Sequence, residues 1–140
     1  AIIWSHYLES IRQIVEVLEK EYGKGSVAQF HGGNRGTRKE DEYRFLNDPE
    51  CRFMVSSQGA GGKGNTWVVA DLVVYYANGD NLEHRDQSED RAHRKGQRNV
   101  VTYVDMVVPN SVEMRIIKSL RKKIDLATAV TGEKYREWLV

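Results

Sequence analysis

Apolar residues in this chain gather into short runs separated by amphipathic stretches, a pattern of strands alternating with helices. Residues 1–5, Ala-Ile-Ile-Trp-Ser, predict a short buried parallel strand. Ser5 is placed to cap a helix running to about Tyr22, with Leu8, Ile11, Val15, Leu18 and Tyr22 as its apolar stripe. Gly23 and Gly25 end it. A second strand is predicted over 26–30, followed by a loop from His31 to Gly36. Thr37 and Glu40 have capping-box spacing for a helix that stops before Pro49. Further strands are predicted over 52–56, 72–76 and 100–108, the last being the longest. A charged helix is predicted over 82–95, and a final long helix begins with a capping box of Asn110 and Glu113. Ile116, Leu120, Ile124 and Ala127 line that last helix. The sum is an α/β domain with a mostly parallel sheet flanked by helices.

Composition narrows the class without naming a function. A chain of 140 residues with 40% hydrophobic and 29% charged residues has enough apolar surface for one globular core. Its formal net charge of +1 gives no bulk attraction to nucleic acid, so any such contact must come from local basic groups. The single cysteine, Cys51, excludes an internal disulfide framework and a cysteine-based metal site. No long apolar span or signal peptide is visible. The chain opens in a strand-like run without an initiator Met, which leads us to expect a piece of a larger protein.

Two stretches carry candidate chemistry. Gln87, Arg91 and Arg94 would share one face of the charged helix, a comb of one amide and two guanidiniums suited to phosphate oxygens. A solvated helix with internal ion pairs is the competing reading, because Glu89, Asp90 and Lys95 interleave with the arginines. The glycine-rich run Gly59-Ala-Gly-Gly-Lys-Gly64 follows a predicted strand, and its backbone amides could cradle a phosphate. It is not a Walker A loop: Gly64 and Asn65 follow Lys63 where that loop needs Ser or Thr for magnesium. A flexible turn is the alternative. His84 and His93 show no carboxylate spacing that would build a metal cage and are expected at the surface.

The run Gln87-Ser-Glu-Asp-Arg-Ala-His-Arg-Lys-Gly-Gln97 resembles the sixth motif of the Swi/Snf-type DNA translocases, a branch of the superfamily-two helicases. Ala60-Gly61-Gly62-Lys63-Gly64 resembles the fifth motif of that family. The family usually continues with an aliphatic residue, Asn and Leu; this chain has Asn65-Thr66-Trp67, so Thr66 occupies the place of the Asn. Ile2-Ile3-Trp4-Ser5-His6-Tyr7 resembles the fourth motif, and His31-Gly32-Gly33 followed by Arg38 resembles the next block. From Asn110 onward the chain resembles the closing helix, so the similarity covers nearly the whole sequence.

The resemblance implies a single RecA-like domain over residues 1–140, the second lobe of a two-lobe ATP-dependent motor. It implies ATP as ligand, with Mg²⁺ held mainly by the first lobe. Arg91 and Arg94 would act as arginine fingers and Gln87 would help position them, with Gly64 and Asn65 also on the nucleotide side. DNA-backbone contacts would come from Ser5, His6, Gly32, Gly33, Arg38, Ser57, Gly61, Gly62 and Lys63. The partners implied are DNA of any sequence and the first lobe of the same protein, with no membrane. The setting is the cytoplasm of a bacterial or phage-infected cell, or a eukaryotic nucleus. Alone, the lobe is expected to be inactive. A non-catalytic nucleic-acid-binding domain that kept the fold is the alternative, and a nucleotide-sugar enzyme using the glycine-rich turn is a third.

Overall fold

A computed structural model describes residues 1–60 and 65–131. Five strands, β1 (Ile2–Ser5), β2 (Val27–Phe30), β3 (Phe53–Ser57), β4 (Leu72–Tyr75) and β5 (Thr102–Asp105), form one sheet in the order β2-β3-β1-β4-β5. Every pairing is parallel, so the sheet is wholly rather than mostly parallel. Four α-helices complete the chain: α1 (Leu8–Tyr22), α2 (Arg38–Asn47), α3 (Leu82–Glu89) and α4 (Val112–Thr131).

Alternation along the strands splits the core between the two faces of the sheet. Ile2, Trp4, Ala28, Phe30, Met54, Val73 and Tyr75 point to one face, where they meet Phe45 of α2 together with Trp67 and Ala92. Ile3, Val27, Phe53 and Val55 point to the other and are covered by Ile11, Ile14, Val15 and Leu18 of α1. Trp67 is the hub of the first face. It stacks on Trp4 at 5.6 Å, meets Phe30 and Phe45 edge-on, and donates from Nε1 to Glu42 Oε1 at 2.7 Å.

Several local expectations need correction. Ser5 does not cap α1: it is fully buried as the last residue of β1, in register with Ser57, and Tyr7 takes the cap position without a side-chain bond. Leu8 and Tyr22 are half exposed, so the stripe narrows to Ile11 and Val15 with Leu18 beside them. The box of Thr37 and Glu40 is not formed, because Thr37 already has helical ψ (−3°) and its Oγ1 turns back to the Asn34 carbonyl. α3 ends at Glu89 rather than Lys95. β5 has four residues, and β3, with five, is longer. As an edge strand β5 is paired only with β4, and its alternate residues are exposed. At α4 the capping oxygen belongs to Ser111, which accepts from Met114 N–H at 3.4 Å, while Asn110 sits at φ 60°. Ile117, Leu120 and Ile124 are the buried residues of α4, with Ile116 and Ala127 only half-buried.

The loop after β2 is closed by His31. Its Nδ1 accepts from Gly33 N–H at 3.0 Å, which leaves Nε2–H to donate to Gln29 Oε1 at 2.8 Å, a neutral ring by this pattern. A side chain at position 33 would meet the imidazole at 3.0 Å, so the ring would have to shift by a few tenths of an ångström to admit one. Burial first, and then the charge of Arg38, pull the His31 pKa below its ordinary value, against a smaller upward pull from Asp41.

Trp67→Ala should cost about 3–5 kcal/mol in chemical denaturation, because it removes the centre of three ring contacts and strands Glu42. Trp67→Phe, which keeps most of the volume, should recover much of that. A loss under 1 kcal/mol for Trp67→Ala, on the order of a surface substitution, would show that the cluster is not the core's centre. His31 sets a pH effect with a fixed sign. Since the fold depresses its pKa, the folded loop gains nothing from protonation, and its stabilisation is complete above the unfolded value of about 6.5. It is lost as pH falls below that value, so the protection of Gly33 N–H, its exchange relative to the intrinsic rate at the same pH, should fall on acidification. Protection that rises in acid would contradict the neutral-ring cap.

Candidate nucleotide and nucleic-acid sites

The carboxyl ends of parallel strands are where ligands of open α/β sheets collect. Here that edge carries an open cleft of about 500 Å³. His6 and Leu8 after β1, Gly32 and Arg38 after β2, and Ser57 at the end of β3 line it. Four of the expected backbone-contact residues, His6, Gly32, Arg38 and Ser57, are thus gathered in one place. Gly33 is exposed on the same loop. Ser5 is nearby but fully buried, its Oγ accepting from Tyr7 N–H at 3.4 Å, so it shapes the turn from beneath. Gly61, Gly62, Lys63 and Gly64 lie outside the described residues.

Arg35, Gln58 and His84 line the same cleft, Arg35 from the basic run 35–39 expected to meet DNA phosphates and the other two from outside the expected contact residues. Arg35 had a sequence signal in its closeness to Gly33 and Arg38. Gln58 and His84 gave none, because strand-end register and the direction of α3 bring them there. Gly79 is also explained at this edge, since a Cβ there would stand 2.8 Å from the His6 ring. Arg38 is oriented by its own loop: Nε and Nη2 both donate to the His31 carbonyl, and its guanidinium lies 5.0 Å over the Phe30 ring.

The two motif arginines do not emerge from a helical face, because α3 stops at Glu89. They come from the turns that follow, and still converge. Arg91 Nη1 and Arg94 Nη1 donate to the Asn65 carbonyl at 3.0 and 3.4 Å, and Arg94 Nη1 reaches Thr66 Oγ1 at 3.1 Å. This segment is pinned from two sides. Trp67 N–H donates to the Arg91 carbonyl at 2.8 Å, and Gln97 Nε2 donates to the carbonyls of Ala70 and Ala92. Asn65 is therefore beside both arginines, and Thr66 serves as a hydroxyl partner where the motif family has Asn.

The arginines differ in exposure. Arg91 is 3% exposed and helps fill the interior, contrary to the expectation that neither side chain is needed there, whereas Arg94 is exposed. Burial, with the adjacent charge of Arg94, pulls the Arg91 pKa below the usual guanidinium value. Two cations held this close favour an anion between or beside them. Gln87 is not part of this gathering: its Nε2 donates to Glu83 on its own helix at 2.9 Å.

Beneath both regions lies a buried charge network that sequence reasoning missed. Arg85, 2% exposed, donates from Nε to Glu89 at 2.8 Å and from Nη1 to Asn78 at 2.8 Å. Its Nη1 and Nη2 form a fork on Asp105 at 2.6 and 3.0 Å, and its guanidinium lies 3.4 Å over the Tyr75 ring. Burial works to lower its pKa, but the bond to Asp105 and the surrounding charges outweigh burial and hold it above the ordinary value. The i,i+4 spacing of Arg85 and Glu89 was the one available signal. Among the described residues no cluster of His, Cys, Asp and Glu is arranged to hold a metal ion, and no helix is long and apolar enough to cross a membrane.

Comparison with known proteins bears on this arrangement directly. The helicase conserved C-terminal domain family matches residues 1–96. The chain is 30% identical over 120 residues to TATA-binding protein-associated factor mot1 of Aspergillus fumigatus, covering 85% of this chain and 6% of that protein. It is 30% identical over 118 residues to transcription regulatory protein SNF2 of Saccharomyces cerevisiae, with 81% and 7% covered. Against chromatin-remodeling ATPase INO80 of Cryptococcus neoformans it is 36% identical over 97 residues, with 69% and 6% covered. The chain thus spans only 6–7% of the length of these curated relatives. The crystal structure of the C-terminal part of the Fun30 ATPase domain shares the fold, with a TM-score of 0.76 at 24% identity, over 85% of this chain and 38% of that one. A parallel sheet with this edge, carrying these motifs in this order, belongs to the helicase conserved C-terminal domain family, and the chain is a C-terminal helicase lobe of the Swi/Snf type.

Proposed function

We propose that this lobe completes the ATP site of a two-lobe motor that tracks along DNA. The observation that carries the reading is the convergence of Arg91 and Arg94 on the Asn65 carbonyl, with Arg94 exposed. A first RecA-like lobe would hold ATP and its Mg²⁺, and closure of the two lobes would bring Arg94 to the γ-phosphate. Charge spreads over the phosphoryl oxygens in the transition state, where a fixed guanidinium acts most strongly. Arg91, buried beneath, would hold the arginine segment against Asn65 and add its field. Asn65 and Thr66 would release Arg94 to the nucleotide, exchanging one set of acceptors for another.

The cleft at the other end of the sheet edge would take the DNA backbone. Arg35, Arg38 and His6 would face phosphates, while Gly32 and Gly33 allow close backbone approach. Phosphate contacts carry no base information, so binding would be independent of sequence. Opening and closing of the lobes across turnover would then step this cleft along the strand. Such a motor works where DNA is, in a nucleus or in bacterial cytoplasm.

In the complete two-lobe protein, Arg94→Ala should lower DNA-stimulated ATP turnover by about 10³ to 10⁵, leaving the melting temperature and most DNA affinity intact. Arg94→Lys should recover little, because an ammonium lacks the guanidinium fork. Arg91→Ala should lose rate and also melt earlier, as its burial requires. Normal turnover in Arg94→Ala would retire the arginine-finger reading, whereas no DNA-stimulated turnover in the unaltered two-lobe protein would favour a domain that kept the fold and lost the motor. The cleft is tested separately by salt titration. Arg35→Ala should reduce the slope of log affinity against log salt by about 0.9, the value for one duplex phosphate contact. An unchanged slope would remove Arg35 from the DNA path.

A further inference from the structure

Arg85 touches neither the cleft nor Asn65, yet it stands between them. Gln58, which lines the cleft, donates from Nε2 to Asn78 Oδ1 at 3.4 Å and accepts from Gly79 N–H at 3.2 Å. The same Asn78 Oδ1 accepts from Arg85 Nη1 at 2.8 Å. Arg85 Nε then holds Glu89 at 2.8 Å, and the Glu89 carbonyl accepts from His93 N–H at 3.3 Å and Tyr103 Oη–H at 3.1 Å. His93 lies between the two motif arginines in the chain. Hydrogen bonds therefore run from the cleft wall to the Glu89 carboxylate, and the main chain of the same residue carries the link on to the arginine segment.

The line is stiff at its middle. The fork on Asp105 and the stacking on Tyr75 leave the Arg85 guanidinium no rotation that keeps its bonds. Asn78 Nδ2 also donates to Asp105 Oδ1 at 2.9 Å, so Asn78 and Arg85 share one anchor. A buried ion pair adds little net stability compared with apolar filling, because desolvating both charges offsets their attraction. What such a pair does supply is a defined geometry. Among the hydrogen-bonded partners of Arg85, Asn78 leads to Gln58 on the cleft wall and Glu89 leads to the arginine segment.

We propose that Arg85 is a positioning residue through which DNA in the cleft sets the pose of the arginine segment 91–94, by way of Gln58, Asn78 and Glu89. This rests on the motor reading above. Seating a phosphate backbone against the cleft wall fixes Gln58, and through Asn78 and Arg85 fixes the carbonyl that holds His93. Without DNA the line is formed but long at its cleft end, where Gln58 meets Asn78 at 3.4 Å, and Arg94 is held less well for chemistry.

The test is ATP turnover by the complete two-lobe protein, with and without saturating duplex DNA, for Asn78→Ala, Arg85→Lys and Arg94→Ala. Asn78→Ala should melt somewhat earlier, because it leaves Arg85 and Asp105 each short of a buried partner, and should bind DNA normally, while the ratio of DNA-stimulated to DNA-free turnover falls about tenfold to a hundredfold, the cost of a small misplacement. Arg85→Lys keeps the charge without the fork and should show the same loss in kcat rather than in KM. Full stimulation in a folded Asn78→Ala would overturn the proposal. So would a proportionate fall in both turnover values that follows a lowered melting temperature, because that marks a purely structural role. Normal turnover in Arg94→Ala would remove the arginine-finger reading on which the proposal rests, whereas a slow Arg94→Ala beside a fully stimulated Asn78→Ala would remove only the line through Arg85.

Discussion

The backbone bond from Trp67 N–H to the Arg91 carbonyl, 2.8 Å long, ties the arginine segment to the aromatic core. Its donor is the main chain of a residue whose side chain is clamped by Trp4, Phe30 and Phe45 and bonded to Glu42. Position 67 is therefore fixed by the central strand, the second strand and α2 together. The turns after α3 keep main-chain bonds of their own, such as His93 N–H to the Glu89 carbonyl at 3.3 Å, and this tie sets their place against the core. Because its carbonyl is anchored to the core, Arg91 is held at Asn65 with almost no exposure, and Arg94 follows three residues later. Where relatives carry an aliphatic residue, a tryptophan here adds three ring contacts and one side-chain bond to the same task.

Legibility from the sequence was uneven for physical reasons. Alternating runs such as Ile2-Ile3-Trp4 and Phe53-Met54-Val55 announced strands, because sterics and burial act on neighbouring residues. The parallel arrangement followed from helices lying between them. What local pattern could not reveal was where a helix yields to tertiary structure. The charged run through Lys95 has helical composition, yet the tie at Arg91 and the clamp of Gln97 on Ala70 and Ala92 draw the chain out of α3 after Glu89. The capping oxygen at α4 slipped by one residue for a similar reason: Asn110 is taken up by a left-handed turn, so Ser111 caps instead.

For the site, motif spacing marked Arg91, Arg94 and Asn65, and these do meet. It also marked Gln87, which turns to Glu83 within its own helix. Residues that act across strands were invisible. Arg85, Asn78 and Asp105 are far apart or unremarkable in sequence, and only the register of β4 against β5 brings Asp105 beside Tyr75 and under α3. Burial of such charges reverses their usual meaning: on a solvated helix Arg85 and Glu89 would be a weak surface pair, whereas in the interior they define a geometry.

The strand order carries a consequence for how this chain is made. β1 emerges first from the ribosome, yet it lies at the centre of the sheet, between β3 and β4. Its partners, Met54 to Ser57 on one side and Val73 to Tyr75 on the other, are synthesised only much later. Ile2 and Trp4 must therefore wait, apolar and unpaired, while some seventy residues follow. Sequence-distant pairing of this kind makes folding slow and leaves hydrophobic surface open to chaperones or to misassociation in the interval. The amphipathic α1, which follows at once, can cover the Ile3 face of that strand but not the face of Ile2 and Trp4, which waits for α2 and Trp67. The nascent chain is thus committed to holding its most buried strand in reserve until the fourth strand arrives.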